Sequence, residues 1–582
     1  MRALLLHPDD AFQGARKRER WDLIIDLGRA PQTFYEQQSA KLGCPVFSIF
    51  DLAVEIEDLQ SFRSLLRPGM GHVVDRYGID WWDVISTVLQ PDLQSVRLAL
   101  RLAGKLRGCS ELMASRTSLT ADVLGIELGI GVQIIQALSE RLVAAVRRRG
   151  ASAANLGLVQ LRQVLYDKYD PHYLWRKKWA PASKGNRELV VLLPSAYSNV
   201  TRTALSYARG LPEQKFLLVL ARESAAVQQV PANVETAMLA SFAARPDRDE
   251  GQELEARWDH LDSVLREIPL FRLAAQAGIL KKGKSWLRWG VTVRDAWLRV
   301  FETHSIASCL SADDSNPYTR IPLLLAERRG RAAVCCHHGA MDCRLAFKNH
   351  SFSSYLAKGD MERDYLERVG SIDAGRIVVG APSSAPGDSA RWDRHAPWIV
   401  FFTEPFEAED WRVETVYREI LPRLCGVARS ARKTVVLKLH PFESARQRRR
   451  LVARILNSDE RRLVRVIDTP LSAQLLQKTW CGLTVESTVA VECASWGIPM
   501  FLCGWLRNAY TGYVPQYARY GVGQVLESAE DVARIPELLR TATAAADQPL
   551  CLLKPISPGR LSELLSPADC GAPQPAFREA TA

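Results

Sequence analysis

Five side chains near the C-terminal third of the chain, His440, Pro441, Ser487, Thr488 and Glu492, combine types and spacings suited to holding a nucleoside diphosphate. Ser487 and Thr488 offer hydroxyls and backbone N–H groups at the start of an apolar run, Thr488 to Trp496, that is spaced as a short helix and stopped by Gly497. A helix start carries unsatisfied donors and the positive end of the peptide dipole, and both favour a phosphate. Glu492 follows Thr488 by four residues, so it lies one turn along on the same face, in reach of a ribose diol. Val491, Cys493 and Ala494 around it predict a buried setting for its carboxylate. His440 adds a donor beside the diphosphate and Pro441 stiffens its turn. Lys438 and Arg507 are further cations for the departing phosphate.

The elements that must position these groups are buried parallel strands. Thr434 to Leu439, Val464 to Ile467, Cys481 to Val485 and Pro499 to Cys503 are apolar, largely β-branched runs, and helical spacing recurs between them. This β-α-β-α-β-α-β order predicts a doubly wound sheet whose ligand crevice lies beyond the strands' C-terminal ends. An earlier strand, Trp398 to Phe402, ends in Thr403-Glu404-Pro405, which adds Thr403 and Glu404 as a donor-side or hinge loop. Asp468 reads as the cap of the helical run that follows it.

The stretches KLHP, DTPLSAQLL and TVESTVAVECASWGIP resemble the nucleotide-binding half of GT-B glycosyltransferases. Among these, the bacterial surface-polysaccharide enzymes are most similar: polysialyltransferase-like and Kdo-transferase-like proteins, and glycerophosphotransferases that use CDP-glycerol. The resemblance implies that His440, Pro441, Ser487 and Thr488 contact donor phosphates and that Glu492 holds the ribose. Sugar-nucleotide 2-epimerases share this half-site, so the motif marks the donor class more sharply than the reaction.

With 582 residues the chain exceeds one core, and two or three domains are expected. Hydrophobic residues at 47% and charged residues at 24% fit a globular protein. The net charge of +11 comes partly from runs such as Arg147 to Arg149 and Arg446 to Arg450, and it favours anionic partners. A nucleotide sugar, an acidic polysaccharide or the anionic inner leaflet all qualify; no RNA- or DNA-binding motif supports a nucleic acid. Twelve cysteines lie scattered without paired metal-ligand spacing, which reads as reduced, packed thiols in a cytoplasmic protein. Cys335-Cys336-His337-His338 looks like a metal cluster, but adjacent strand residues point to opposite faces and cannot all meet one ion. MRALLLHPDD is too short in its apolar run for a signal peptide, and no apolar stretch reaches the roughly 20 residues of a membrane helix.

Taken in order, residues 1–51 read as the opening strands of an N-terminal Rossmann-like acceptor domain, with a helix from Gln32 to Lys41. Residues 52–185 read as a helical insertion, and 186–381 as the remainder of that domain. There Ser198 and Asn199 are placed to cap a helix. Successive strands deliver Asp313-Asp314 and His337-His338-Gly339 to one sheet edge. YLAKGDMERDYLERVG and RIVVGAP complete a pattern that resembles the acceptor half of the same enzymes. Residues 382–397 form the linker, 398–545 the nucleotide-sugar domain, and 555–582 a flexible tail. The fold class is thus α/β, of GT-B type: two Rossmann-like domains facing across a cleft.

A transferase of this kind needs a base for the acceptor hydroxyl and positive charge or N–H dipoles for the leaving nucleotide. His338, whose type titrates near neutral pH and which matches the family's His-Gly pair, ranks first as base; Asp314 and Asp313 follow. Ser315-Asn316-Pro317 makes turn or helix capping the other reading of that acidic pair. Glu486 touches the sugar or faces solvent. No metal or cofactor is expected when the helix start and His440 carry the charge. The expected activity is metal-independent transfer from a CMP-, CDP- or UDP-linked sugar to a saccharide or lipid-linked saccharide, at the inner face of the plasma membrane. A 2-epimerase-like enzyme and a non-catalytic component of an assembly complex are the alternatives.

Overall fold

The computed structural model describes residues 1–12, 20–52, 62–135, 188–243, 247–339, 345, 348–349, 352–382, 392–507, 512–542 and 552–566. Their strands form three all-parallel sheets. β1 to β5 (Arg2–Leu6, Leu23–Asp26, Val46–Ser48, Glu111–Ala114, Val132–Ile134) make the first. β6 to β12 (Leu189–Ser195, Phe216–Leu220, Val234–Met238, Ser305–Ser311, Ala332–Cys336, Ser354–Ala357, Ile377–Val379) make the second. β13 to β18 (Trp398–Phe402, Thr434–Lys438, Val464–Ile467, Thr479–Thr484, Met500–Cys503, Gln524–Leu526) make the third.

All three share one ordering rule. The first runs β3-β2-β1-β4-β5, the second β12-β11-β10-β9-β6-β7-β8, the third β15-β14-β13-β16-β17-β18. In each, the chain builds outward to one side for three strands and then returns to the other side, the 3-2-1-4 pattern of doubly wound sheets. The central strands are buried along nearly their whole length, as in LVVLLPS of β6 and TWCGLT of β16, because helices cover both faces of a parallel sheet. Gly482 in β16 is needed for this: a Cβ there would lie 2.3 Å from the Met500 sulfur on β17.

The N-terminal expectation requires correction. β1 pairs with β2 and β4, and no strand of residues 1–51 joins the sheet of residues 186–381. Residues 52–185 are not purely helical either, since β4 and β5 complete the first sheet; their stretch 136–187 lies outside the described residues. The described chain falls into two compact units. One draws on Met1–Leu59, Asp92–Leu142 and Pro386–Leu552, and so holds the first and third sheets. The other draws on Gln60–Pro91, Val143–Ala385 and Leu553–Ala582 and holds the second. The 25-residue helix Trp81–Lys105 carries Pro91 inside it, and the division falls there. Of the expected linker, 383–391 lie outside the described residues; beyond them, Trp392 donates to the Trp480 carbonyl at 2.7 Å.

In the first unit, the first and third sheets are joined through Arg412. Its guanidinium donates to both Asp26 carboxylate oxygens and to the carbonyls of His7, Pro8 and Asp10, the C-terminal ends of β1 and β2. Asp26 also accepts Gly28 N–H at 2.9 Å and the Tyr35 hydroxyl at 3.0 Å, so this buried carboxylate is fully coordinated. The C-terminal edge of the small sheet is therefore filled by the chain's own arginine.

The expected tail is also corrected. Residues 552–566 are described, with a helix Pro558–Leu565 capped by Ser557. Leu561 and Leu565 are buried in the core of the second sheet, and Ser308 on β9 donates to the Leu565 carbonyl at 2.7 Å. Leu561, Leu564 and Leu565 lie at helical spacing, but the Pro- and Ser-rich context hid this helix from composition. Leu561→Ala is expected to destabilise the second unit by about 2–5 kcal/mol in urea denaturation; a change below about 0.5 kcal/mol would restore the tail reading.

Candidate functional site

The third sheet brings the sequence-predicted donor residues to one edge. β13 ends into Thr403-Glu404, β14 into Leu439-His440-Pro441, β16 into Val485-Glu486-Ser487-Thr488, and β17 into the turn before Arg507. β13 and β16 are neighbours whose following connections lead to opposite sides, so the crevice of a doubly wound sheet opens between their ends.

Glu404 spans that opening. It is buried, and its Oε1 accepts the Glu486 N–H and, at 3.3 Å, the Thr484 hydroxyl. The Thr484 hydroxyl also reaches the Phe402 carbonyl at 3.0 Å and accepts the Ser487 N–H at 3.4 Å. Ser487 in turn accepts the Val489 N–H at 3.4 Å, and the Tyr517 hydroxyl donates to the Glu486 carbonyl at 3.3 Å. The turn preceding the helix Val489–Ser495 is thus fixed from three sides. Thr488 occupies the cap position in helical conformation without capping through its side chain, and Gly497, at φ 68°, closes the far end as its position predicts.

His440 is fixed by a second network. Its N–H donates to Glu443 at 2.8 Å, and the Thr403 hydroxyl donates to the same carboxylate. Arg448 holds Glu443 at 2.8 Å and Glu407 at 2.6 Å. The ring nitrogen Nδ1 accepts the Phe442 N–H at 3.3 Å, so a neutral ring carries its proton on Nε2. Pro441 and Phe442 lie exposed at the loop tip, and Phe442 meets the His440 ring at 5.0 Å.

Three expectations in this region change. Glu492 is exposed rather than buried, because it lies on the outer side of a helix whose Val491 and Cys493 face the core. The Lys438 ammonium is buried and donates to the Leu439 carbonyl at 2.6 Å; burial lowers its pKa, against the pull of Glu443 and Asp468. That bond uses one of its three N–H donors. Asp468 caps nothing: Ser472 accepts the Leu475 N–H at the start of the helix Ala473–Gln477.

The second sheet gathers the other candidates at its own C-terminal edge. Asp313 is used in capping, accepting Ser315 N–H at 3.0 Å, Asn316 Nδ2 at 2.6 Å and the Thr319 hydroxyl at 3.1 Å, while Asn316 caps the helix Pro317–Arg328. Asp314 is fully buried between Lys348 Nζ at 2.5 Å and Arg320 Nη1 at 3.1 Å, and Arg320 also grips Asp83 at 2.8 Å. Its assignment as a catalytic base is corrected on this ground: a carboxylate matched by two buried cations is a poor proton acceptor. Burial works against the Arg320 charge, but the carboxylates of Asp83 and Asp314 outweigh it and raise its pKa. His338 is exposed, and its N–H donates to the Ala312 carbonyl at 2.9 Å. Ser198 and Asn199 do not cap their helix; Tyr197 holds that position, and Asn199 accepts from Arg202 at 3.1 Å.

Sequence reasoning passed over His337, Lys358 and Glu362. His337 is buried, with Nε2 3.9 Å from Asp314 and Nδ1 4.0 Å from Glu362. Lys358 ties the carbonyls of His337 and Gly339 at 2.7 and 2.6 Å, and its N–H donates to Glu362 at 2.6 Å. Burial pushes the Glu362 carboxyl from the usual 4.5 up to about 7, against the pull of Lys358. The signal was available: Glu362 stands with Tyr365 and Leu366 on an otherwise apolar helix face. Asp314, Cys335 and His337 also bring one ligand atom each within 4.8 Å of one another. Cys335 on β10 and His337 just past the strand's end, two residues apart, bring their side chains to one side. Asp314 is already balanced by Lys348 and Arg320, and burial holds the Cys335 thiol protonated, so the trio offers a cation little charge.

Among the described residues no helix is long and apolar enough to cross a membrane, and the nine described cysteines are free thiols. No protein-family model matches the chain, and no curated protein is similar at a significant level. Solved structures with a similar fold include a UDP-GlcNAc 2-epimerase from Neisseria meningitidis bound to UDP-GlcNAc, at 12% identity and TM-score 0.40 over 65% of this chain and 99% of that one. The S. aureus MnaA structure with UDP follows at 12% and 0.39, over 65% and 94%. The wall teichoic acid polymerase TagF stands at 12% and 0.38, over 73% and 97%. At these values the likeness adds nothing to what the parallel α/β sheets already show.

Two outcomes test the second-sheet cluster. Asp314→Ala strands Arg320 and Lys348 in a buried site and is expected to cost about 3–5 kcal/mol in urea denaturation; native stability with abolished turnover would return Asp314 to a chemical role. Glu362 binds its proton more tightly folded than unfolded, so its contribution to stability falls as pH rises from 4.5 to about 7. The full swing is of order 3 kcal/mol, and Glu362→Gln should flatten it in denaturation curves at pH 5 and pH 7.5.

Proposed function

We propose that the chain is a glycosyltransferase of GT-B type that draws on a nucleotide-activated sugar, CMP-, CDP- or UDP-linked, to build or modify a bacterial surface polysaccharide. The observation that carries this reading is the crevice at the β13/β16 divergence, where Glu404 fixes the turn Glu486-Ser487-Thr488 and Glu443 fixes His440 beside it. In this reading Ser487, Thr488 and the helix N–H groups take the leaving phosphates, with His440 Nε2 as a further donor. Pro441 keeps the His440 turn stiff. Glu492, exposed one turn along, accepts from the ribose hydroxyls. Exposure suits this role, since a carboxylate that binds a diol must be reachable before the ligand arrives. Arg507, also exposed, is a second cation for the nucleotide, and Lys438, buried with one of its three N–H donors on the Leu439 carbonyl, is a third.

His338 is the proposed base for the acceptor hydroxyl, as the exposed imidazole at its sheet edge. Charge stabilisation by N–H dipoles and a histidine makes a metal unnecessary for departure of the nucleotide. The resemblance of KLHP and ESTVAVE to surface-polysaccharide enzymes supports the donor class, and the basic composition supports an anionic donor and contact with an anionic membrane at the inner face of the plasma membrane.

The test is nucleotide release from CMP-, CDP-, UDP- and GDP-linked donors with and without saccharide acceptors. Acceptor-dependent release from one pyrimidine donor is expected; acceptor-independent release of free nucleotide would favour an epimerase. Glu492→Ala is expected to weaken nucleotide binding by about tenfold, the cost of roughly one charge-assisted hydrogen bond. His338→Ala should bind nucleotide normally and turn over at least 100-fold more slowly. Equal loss of binding in both variants would sink this division of roles.

A further inference from the structure

Within the first unit a groove of about 1340 Å³ opens between the helix Gln32–Leu42 of the small sheet and the first half of the helix Val413–Ala431. None of the proposed donor-site residues lines it. Its size exceeds the roughly 300–1,000 Å³ of a compact small-molecule site, so its ligand should be extended.

The lining decides the chemistry. Among the described residues, acidic and basic side chains are equal in number, five of each, and half of them are matched to one another: Arg418 with Glu414 at 2.5 Å, Arg454 with Glu414 at 3.0 Å, Arg423 with Glu530 at 2.6 Å. A polyanion entering here meets as many carboxylates as cations, four guanidiniums and the Lys41 ammonium. Among the described residues the overall basicity of the chain is not expressed in this groove. Gln32, Gln37 and Gln38 of the helix Gln32–Leu42 line the groove, and none of their side chains bonds another described residue. Each amide both donates and accepts, as is needed to match a hydroxyl that does the same. Trp505 also lines the groove; its indole N–H donates to Glu419 at 2.9 Å, and the Thr33 hydroxyl donates to the same carboxylate at 2.6 Å, so the ring is held in place. The ring packs partly against the core of the third sheet, and its remaining part at the groove is a fixed apolar surface for the C–H face of a pyranose, at little cost in side-chain entropy.

We propose that this groove binds a neutral, hydroxyl-rich oligosaccharide, at a subsite separate from the donor crevice. That the saccharide is the acceptor or product of the proposed transfer rests on the reading above; the binding itself does not. The subsite would retain a growing chain between additions.

The experiment applies the full-length protein to an array of bacterial surface glycans that carries maltoheptaose and N-acetylchitohexaose as neutral probes and a heparin octasaccharide as polyanion. Retention of at least one neutral oligosaccharide is expected, with affinity reduced tenfold or more in Trp505→Ala and in Gln37→Lys, and with UDP, CDP and CMP binding unchanged. Gln37 is exposed, so its variant keeps the test valid if loss of the indole impairs folding. The proposal is overturned if no neutral glycan is retained, if both variants retain it as the wild type does, or if only the polyanion binds with steep salt dependence. Nucleotide binding by the wild type reports on the donor reading separately: its absence beside intact glycan binding would remove the transferase and leave the groove.

Discussion

The carboxylate of Glu404 bridges the point where the third sheet divides. β13 and β16 run side by side, yet their connections depart to opposite sides, and the backbone beyond them would otherwise have no common partner. Glu404 supplies it, accepting the Glu486 N–H and the Thr484 hydroxyl. Through Thr484 the same network reaches Ser487, and Tyr517 steadies the Glu486 carbonyl from behind. A buried carboxylate is costly unless it is bonded, so its presence here is accounted for by the turn it shapes. The donor site that we propose depends on this one side chain more than on any of the groups that would touch a ligand.

The loop that carries Glu404 is held at its other end by Arg412. Between the two, Phe406 N–H donates to the Glu404 carbonyl at 2.7 Å, Trp411 N–H to the Phe406 carbonyl at 2.9 Å, and Arg412 N–H to the Arg29 carbonyl at 2.7 Å. The guanidinium of Arg412 then fills the edge of the small sheet, where a doubly wound unit would ordinarily receive a ligand. The small sheet acts as a scaffold for the donor loop in this arrangement.

The second unit uses buried charge in the same structural way. Arg294 is surrounded by Asp75, Glu250 and Asp295, and Arg320 by Asp83 and Asp314. Each guanidinium offers five donors in a rigid fork, which suits convergence of several carboxylates from distant segments. Removing one partner leaves the others stranded, so these clusters fix the register of the helices they join. Glu362 and His337 differ from them: they approach each other at 4.0 Å, and the carboxyl of Glu362 titrates near neutrality.

The sequence by itself determined the α/β class, the central strands of both large sheets and the edge to which the donor residues are delivered. Those features follow from local pattern: β-branched runs buried on both faces, a Gly at a helix end, polar residues just past each strand. Edge strands such as Val234–Met238 and Gln524–Leu526 escaped it, because a strand with one neighbour needs little apolar surface and its pattern is short. Sheet membership of the first 51 residues was decided only in three dimensions, since a parallel strand accepts any partner of similar length and β4 lies more than 60 residues further on. The same holds for individual roles. Asp314 and Lys438 each carry a charge whose use depends on what stands opposite, Lys348 and Arg320 for the first and a backbone carbonyl for the second, and Glu492 carries its charge on the exposed side of its helix. Lys348 comes from a segment that spacing along the chain does not connect to Asp314, and only the folded chain turns the Lys438 ammonium back onto the carbonyl of the next residue, which is why tertiary structure, and not residue type, decided how these charges are used.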